Sequence, residues 1–257
     1  MRRPWPFHDR AVPVVAWRIV ILLMAVLAEA WNIKNMLESG ERASEHFAYF
    51  TVQANIAVIV LMLWMLLVPE ERRPRWFDHL RGAITAYIVL TGIVYAVLLA
   101  KPDEVWSWSI EFTNAAQHRI IPWLVGLDWL LVATARPIRI ARAAWWMAYP
   151  LAFLGGSWLR GGLIDGWFPY PFLDPAEHGG WAGLVWPTGQ VLLAFVLGIF
   201  LVAGVGRMRH RVSGGDGSAG RGSGGRGSAH RLEDRSSSSL AASPSSSSSS
   251  PHSNSSP

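Results

Sequence analysis

The sequence of 257 residues contains no cysteine and only two lysines. The absence of cysteine excludes disulfide bonds, thiolate nucleophiles and metal sites built on cysteine. The chain also lacks a phosphate-binding glycine loop, a His-Glu-x-x-His zinc motif and a Gly-x-Ser-x-Gly nucleophile elbow. Its eight histidines are scattered, and only His118 lies at the end of a hydrophobic segment beside other polar residues. We therefore expect neither a metal nor a cofactor.

Apolar side chains are almost absent from the last part of the chain, whereas 51% of all residues are hydrophobic. From Ser213 onward the sequence is Gly/Ser/Arg-rich and then nearly pure Ser/Pro. This composition cannot bury enough apolar surface to offset the entropy lost on ordering. We expect a folded domain over residues 1–211 and a disordered tail over residues 212–257.

Six hydrophobic segments dominate the remaining sequence. They lie at about 13–31, 48–68, 83–100, 119–134, 144–159 and 186–206. About 18 apolar residues are enough to cross the hydrocarbon core of a bilayer. The fourth and fifth segments are short, but flanking tryptophans extend them into the interface. The pattern predicts an all-α membrane protein with six transmembrane helices in a bundle.

Basic residues alternate between the loops of this predicted bundle. The N-terminal segment, loops 69–82 and 135–143 and the start of the tail are rich in arginine, whereas the other three loops are poor in it. The positive-inside rule therefore places both termini in the cytoplasm. Orientation explains the net charge of +5, so no nucleic-acid partner is expected. Ala28-Glu29-Ala30 resembles a signal-peptidase site, but the preceding stretch is long for a cleaved signal.

The ratio of 21 arginines to two lysines, together with abundant alanine and glycine, suggests a GC-rich bacterial genome. The expected location is therefore a bacterial plasma membrane, in which membrane lipids are the first partners of the chain. The sequence does not indicate an oligomeric state.

Thr51, Asn55 and His118 are polar residues near the ends of predicted spans. Thr51 and Asn55 are four residues apart and lie on one helix face. The second and fourth spans both enter from outside, so Thr51 and His118 are expected at the same level. A hydroxyl beside an imidazole is the minimum for nucleophilic catalysis. The alternative is that these groups hydrogen-bond neighbouring helices or lie at the interface.

Asp128 and Arg160 are charged residues in or beside the predicted spans. An ionised carboxylate at the position of Asp128 costs about 3 kcal/mol unless it is partnered or hydrated. It lies about 15 Å along the helix from His118, too far to orient that imidazole. A polar clamp with Thr91 and Tyr95 or a proton relay would explain it. Arg160 is expected to reach lipid headgroups or to hold a ligand carboxylate.

Two further features lie near the predicted outer surface. Gly155, Gly156 and Ser157 are small residues that are expected to let a neighbouring helix come close. The aromatic, proline-containing segment 161–175 would serve either as a lid over an outward-facing site or as an interfacial anchor.

Four sequence stretches resemble a known family. They are YFTVQAN at 49–55, TGIVY at 91–95, H-x3-P-x5-DWLL at 118–131 and YPLAFLGGSWLRGGLIDGWFPYPFLD at 149–174. Together they resemble the bacterial six-helix Pr-six-Pr membrane proteins over roughly residues 10–206. Those proteins are in turn similar to animal androgen-induced-gene-type threonine hydrolases, which cleave fatty acid esters of hydroxy fatty acids. The resemblance implies that Thr51 is the nucleophile and His118 the base.

Three functions follow from these observations. The first is an outward-facing intramembrane hydrolase of lipid acyl esters that uses Thr51 and His118, with Asn55, Arg160 and Asp128 as candidate substrate-binding residues. The second is a non-catalytic regulator or lipid-binding subunit in which the same side chains pack helices or bind a headgroup. The third is a small transporter, for which we find no internal repeat.

Overall fold

The computed structural model describes residues 8–100 and 111–215, and every regular element in these ranges is helical. The all-α prediction is therefore confirmed for this part of the chain. The tail predicted to be disordered begins at residue 212, and its residues beyond 215 lie outside the described ranges.

Nine α-helices follow one another along the described residues. They are α1 (Val12–Ser39), α2 (Ala43–His46), α3 (Phe50–Leu67), α4 (Phe77–Val94), α5 (Phe112–Ala115), α6 (Ile121–Leu131), α7 (Ile140–Ala143), α8 (Ala148–Arg160) and α9 (Val185–Gly215). Five short 3₁₀ turns lie at Glu70–Arg72, Ala144–Met147, Pro171–Leu173, Pro175–His178 and Trp181–Leu184. Three π turns lie at Tyr95–Leu99, Ala116–Ile120 and Gly161–Asp165. The turns at 116–120 and 144–147 join short helices into the longer helical runs 112–131 and 140–165.

Proline and glycine mark helix ends in the way their backbone chemistry requires. Pro13 and Pro122 each lie in the first turn of a helix, where a missing N–H group costs no intrahelical hydrogen bond. Helix α1 is capped by Gly40, whose φ of +72° lies in the left-handed region. A residue with a side chain would be strained there, so glycine is the expected cap.

Four helical stretches in the described part of the chain are long and apolar enough to cross a membrane. They are Val12–Ser39, Phe50–Leu67, Phe77–Leu99 and Trp181–Val212. They coincide with the first, second, third and sixth predicted spans, and they fit an integral membrane protein. The fourth and fifth predicted spans fall within the helical runs 112–131 and 140–165, which are not among these four.

Helix α4 lies at the centre of the bundle, where it packs against α3, α6 and α9. Its Ile88 is completely buried, as are Val58 of α3 and Ile199 of α9. Large apolar side chains also cover the outside of the bundle, for example Leu27 of α1 and Leu201 of α9, which are 58% and 69% exposed. Helices that are apolar on all sides are typical of a protein surrounded by lipid.

The predicted close helix approach at Gly155 and Gly156 is wrong. A Cβ atom added at either position would meet no atom within 4 Å. The close approach occurs instead at Gly92 of α4, where an added Cβ would lie 2.8 Å from the backbone oxygen of His118. A glycine therefore allows α4 to touch the segment that carries the imidazole.

Candidate functional site

Thr51 lies in the first turn of α3, and its side chain is 6% exposed. The N–H groups of a first helical turn have no partner within the helix, and that of Thr51 donates to the hydroxyl of Tyr170 at 3.3 Å. The Thr51 hydroxyl oxygen, Oγ1, lies 3.3 Å from Nε2 of His118. The structure thus brings together the two residues that the sequence selected as nucleophile and base.

The imidazole of His118 is oriented by its own helical turn. Its Nδ1 lies 3.3 Å from the backbone oxygen of Asn114. Because a carbonyl oxygen only accepts hydrogen bonds, Nδ1 carries the proton and Nε2 presents its lone pair to the Thr51 hydroxyl. The ring of Tyr95 stacks on the imidazole at a centroid distance of 4.0 Å, and Asn114 Nδ2 donates to the Tyr95 hydroxyl at 2.6 Å.

The three π turns of the described chain lie at the same end of the bundle as Thr51. One contains His118, another begins with Tyr95, and the third, Gly161–Asp165, begins the outer segment that leads to Tyr170. A π turn widens the helix and redirects the side chains on it, and such turns are frequent at functional sites. His118 and Tyr95 are therefore each placed by a departure from regular α-helix.

Tyr170 is the member of the site that the sequence did not select. Its hydroxyl oxygen lies 3.4 Å from Thr51 Oγ1, and its ring stacks on Phe172 at a centroid distance of 5.1 Å. The available signal was the Pro169-Tyr170-Pro171 sequence, because two prolines fix the backbone on both sides of one aromatic residue.

An apolar cavity adjoins Thr51. It encloses about 600 Å³, including its open mouth, and is lined by α3, α4, α8, α9 and the 170–173 segment. Phe50, Phe153 and Phe195 line it, and the ring centre of Phe50 lies 5.1 Å from that of Phe153 and 5.4 Å from that of Phe195. Thr51 lines the cavity and also contacts His118, so its hydroxyl lies between the cavity and the imidazole.

Asn55 supports the turn that carries Thr51. It is completely buried, and its Nδ2 donates to the backbone oxygen of Thr51 at 2.9 Å. Its Oδ1 is buried and meets no hydrogen-bond partner among the described residues. Its predicted role in substrate binding stays a prediction, and the contact it makes here is with the backbone of its own helix.

Asp128 is held by arginines at the other end of α3 from Thr51. Its two carboxylate oxygens accept from Arg18 Nε at 3.1 Å and from Arg81 at 2.8 Å. Arg18 also pairs with Asp9 at 2.7 Å, and Asp9 pairs with Arg73, which binds the backbone of Met65 in the last turn of α3. Thr91, an expected partner of Asp128, donates instead to the backbone of Tyr87.

All five charged groups of this buried network are at most 7% exposed. They are Asp9, Arg18, Arg73, Arg81 and Asp128. Burial opposes the ionisation of Asp9, but hydrogen bonds and charge from Arg73 and Arg18 outweigh it and lower the pKa of this carboxyl to about 2. Two aspartates and three arginines leave one net positive charge in the network.

Arg160 fastens the outer segment 161–175 to the bundle. Its guanidinium donates to Asp165 Oδ2 at 2.8 and 2.9 Å and to the backbone oxygen of Ser44 at 2.7 Å. It also lies 4.5 Å from the ring centre of Trp167. These contacts already use the guanidinium. The predicted role of Arg160 in holding a ligand carboxylate stays a prediction.

A second buried polar group was also missed by sequence reasoning. Glu29 Oε1 lies 3.1 Å from His46 Nε2, and its Oε2 accepts from Gln117 at 3.0 Å. The Gln117 side chain in turn accepts from Asn32 at 2.8 Å. These contacts tie α1 and α2 to the π turn that carries His118. The signal was a glutamate inside a hydrophobic segment, which requires a partner.

No protein-family model, curated protein or solved structure matches this chain. Among the described residues no group of three histidines, aspartates or glutamates is placed to hold a metal ion. The function therefore has to be argued from the geometry around Thr51.

Proposed function

We propose that this protein is an intramembrane hydrolase of lipid acyl esters with Thr51 as nucleophile and His118 as general base. The observation that carries the proposal is the 3.3 Å contact between Thr51 Oγ1 and His118 Nε2 at the edge of an apolar cavity. Catalytic hydrogen bonds are often long before substrate binds and shorten in the reactive complex.

The proposed reaction has two steps. Thr51 Oγ1 attacks the ester carbonyl carbon while its proton passes to His118 Nε2, and the tetrahedral intermediate expels the alcohol, which takes that proton. The product is an acyl-threonine. Water then attacks the acyl carbon, His118 accepts a proton from the water and returns it to Thr51 Oγ1, and the carboxylic acid leaves.

The cavity supports an acyl chain as the group bound beside Thr51. Its lining is mostly hydrocarbon and aromatic, and the lining residues that carry a hydroxyl group are Thr51, Thr91, Tyr170 and Thr188. Apolar binding sites with a few placed polar groups bind apolar ligands and orient them. Membrane lipids are the nearest source of such chains, and they reach the cavity without crossing water.

The membrane arrangement belongs to the same proposal. We place six spans in a bacterial plasma membrane with both termini in the cytoplasm and the Thr51 end facing outward. The arginine distribution among the loops supports this orientation. Helical runs 112–131 and 140–165 supply the two spans beyond the four apolar helices. Kinship with the Pr-six-Pr proteins and the androgen-induced-gene-type hydrolases rests on the four sequence stretches quoted above.

A comparison of threonine variants tests the proposal. Wild type, Thr51→Ala and Thr85→Ala are purified in detergent, offered a panel of lipid esters and treated with a fluorophosphonate probe. Thr85 is the matched control because it is a buried threonine of α4 that does not line the cavity. We expect wild type and Thr85→Ala to hydrolyse an ester and to be labelled, and Thr51→Ala to do neither. Equal labelling of Thr51→Ala and wild type would refute the mechanism.

A non-catalytic lipid-binding protein is the second candidate, and the same cavity favours it. In that case a fluorescent fatty acid would bind to wild type and Thr51→Ala alike, and neither protein would hydrolyse any ester in the panel.

A further inference from the structure

We propose that Tyr170 is a further catalytic residue, whose hydroxyl donates a hydrogen bond to the oxygen that becomes negatively charged during ester cleavage. The proposal rests on the function proposed above and adds a third group to the same site. Nucleophile and base alone leave the developing charge on the substrate oxygen without a donor, and such donors usually supply a large part of the rate of acyl transfer.

The hydrogen-bond directions leave the Tyr170 proton available. Its oxygen accepts the backbone N–H of Thr51 at 3.3 Å, so the hydroxyl proton is free to point toward Thr51 Oγ1, 3.4 Å away. During attack, the carbonyl carbon of the ester bonds to Oγ1. The former carbonyl oxygen is then two bonds from Oγ1, within reach of a donor at this distance.

His118 and Tyr170 therefore have complementary tasks at Thr51. His118 accepts the proton that Oγ1 loses, whereas Tyr170 keeps its proton and shares it as a hydrogen bond. The negative charge of the intermediate lies on the former carbonyl oxygen, and this electron pair re-forms the C=O bond when the alcohol leaves with the proton from His118. Burial raises the pKa of the Tyr170 phenol, so this group stays protonated and able to donate at neutral pH.

The position of the Tyr170 ring depends on contacts other than its hydroxyl. The ring stacks on Phe172 at an interplanar angle of 6° and meets the ring of Tyr49 edge-on at 5.6 Å. Pro169 and Pro171 restrict the backbone on either side. A phenylalanine keeps these contacts, so Tyr170→Phe removes the donor and leaves the surroundings in place.

The test compares Tyr170→Phe with Tyr149→Phe in steady-state hydrolysis of one ester that wild type cleaves in a Thr51-dependent way. Tyr149 is the matched control because its hydroxyl bonds to Gln53, on another face of α3 from Thr51. We expect kcat of Tyr170→Phe to fall by about 10²- to 10³-fold, the usual cost of one oxyanion donor, with little change in KM. Tyr149→Phe should keep the kcat of wild type.

Each other outcome has a defined meaning. Wild-type kcat in Tyr170→Phe would overturn the role of Tyr170 while leaving the Thr51 mechanism in place. A rise in KM at unchanged kcat would show that the hydroxyl binds substrate, and it would also overturn the proposed role of Tyr170 as a donor to the negatively charged oxygen. If circular dichroism shows that Tyr170→Phe is unfolded in detergent, the hydroxyl stabilises the fold and the proposed catalytic role is overturned. Absence of any Thr51-dependent hydrolysis in wild type would refute the proposed function, and this inference with it.

Discussion

In the proposed mechanism Thr51 and His118 act as nucleophile and base, and a backbone carbonyl accepts a hydrogen bond from the second imidazole nitrogen. In the usual triad a carboxylate takes this position and stabilises the imidazolium that forms during reaction. The carbonyl of Asn114 fixes the same tautomer with only a partial charge. In the proposed membrane site, a neutral partner avoids the cost of burying a carboxylate beside the imidazole.

Asp128 shows the opposite solution, in which a buried charge is retained and fully paired. The Asp128→Ala substitution leaves Arg18 and Arg81 without their shared carboxylate, and both arginines are at most 3% exposed. Removing one partner of a buried ion pair costs about 3–5 kcal/mol because the remaining charge is uncompensated. We expect the free energy of unfolding to fall by this amount, measured by circular dichroism during detergent-induced unfolding.

The exposed pair between Lys34 and Glu38 is the control for that measurement. Its nitrogen–oxygen distance is 2.7 Å, as short as those in the buried network, but the two side chains are 54% and 62% exposed. Surface pairs of this kind contribute roughly 0–1 kcal/mol. Equal losses for Glu38→Ala and Asp128→Ala would contradict the argument that burial decides the cost.

At the scale of helices, the position of the imidazole depends on the contact between α4 and the π turn 116–120. Gly92 makes this contact possible, because an added Cβ would lie 2.8 Å from the backbone oxygen of His118 and 3.1 Å from Pro122. The His118 backbone and the Pro122 ring are both rigid, so neither can move aside easily to make room for a Cβ atom at position 92.

We expect Gly92→Ala to push α4 away from the π turn and to move His118 relative to Thr51. Overpacking of this kind costs about 1–3 kcal/mol, and thermal unfolding in detergent should show the loss. Fluorophosphonate labelling of Thr51 should also fall, because the base no longer meets the hydroxyl. Gly155→Ala is the control, since its new methyl group meets no atom within 4 Å. A stable and fully labelled Gly92→Ala protein would show that this approach does not position the base.

The sequence predicted the all-helical fold and the four most apolar spans because hydrophobic runs of this length have one structural outcome in lipid. It also selected Thr51 and His118, since their positions at equivalent span ends imply equal depth. Tyr170 and the partners of Asp128 were not predictable in this way. They depend on which faces of the helices meet, and a helix that is apolar on all sides carries little periodic signal to show this.

For the whole molecule, the decisive quantity is the number of times the chain crosses the membrane. The run 112–131 measures about 30 Å at 1.5 Å per residue, and 140–165 is longer, so both are long enough to cross a hydrocarbon core. A bundle with only the four most apolar helices embedded would also place both termini on one side. The two arrangements differ in the side on which loop 135–143 lies.

The absence of native cysteine allows this difference to be measured with single-cysteine variants and a membrane-impermeant maleimide. Arg139, Arg75 and Glu177 are exposed loop residues. In both arrangements Glu177→Cys should be labelled on intact cells, whereas Arg75→Cys should be labelled only after lysis. In the six-span arrangement the chain crosses the membrane between residues 111 and 135, and this crossing is absent from the four-span arrangement. Arg139→Cys would then lie on the cytoplasmic side, as Arg75→Cys does, and would be labelled only after lysis. Labelling of Arg139→Cys on intact cells would establish the four-span arrangement and would refute the proposed six-span topology.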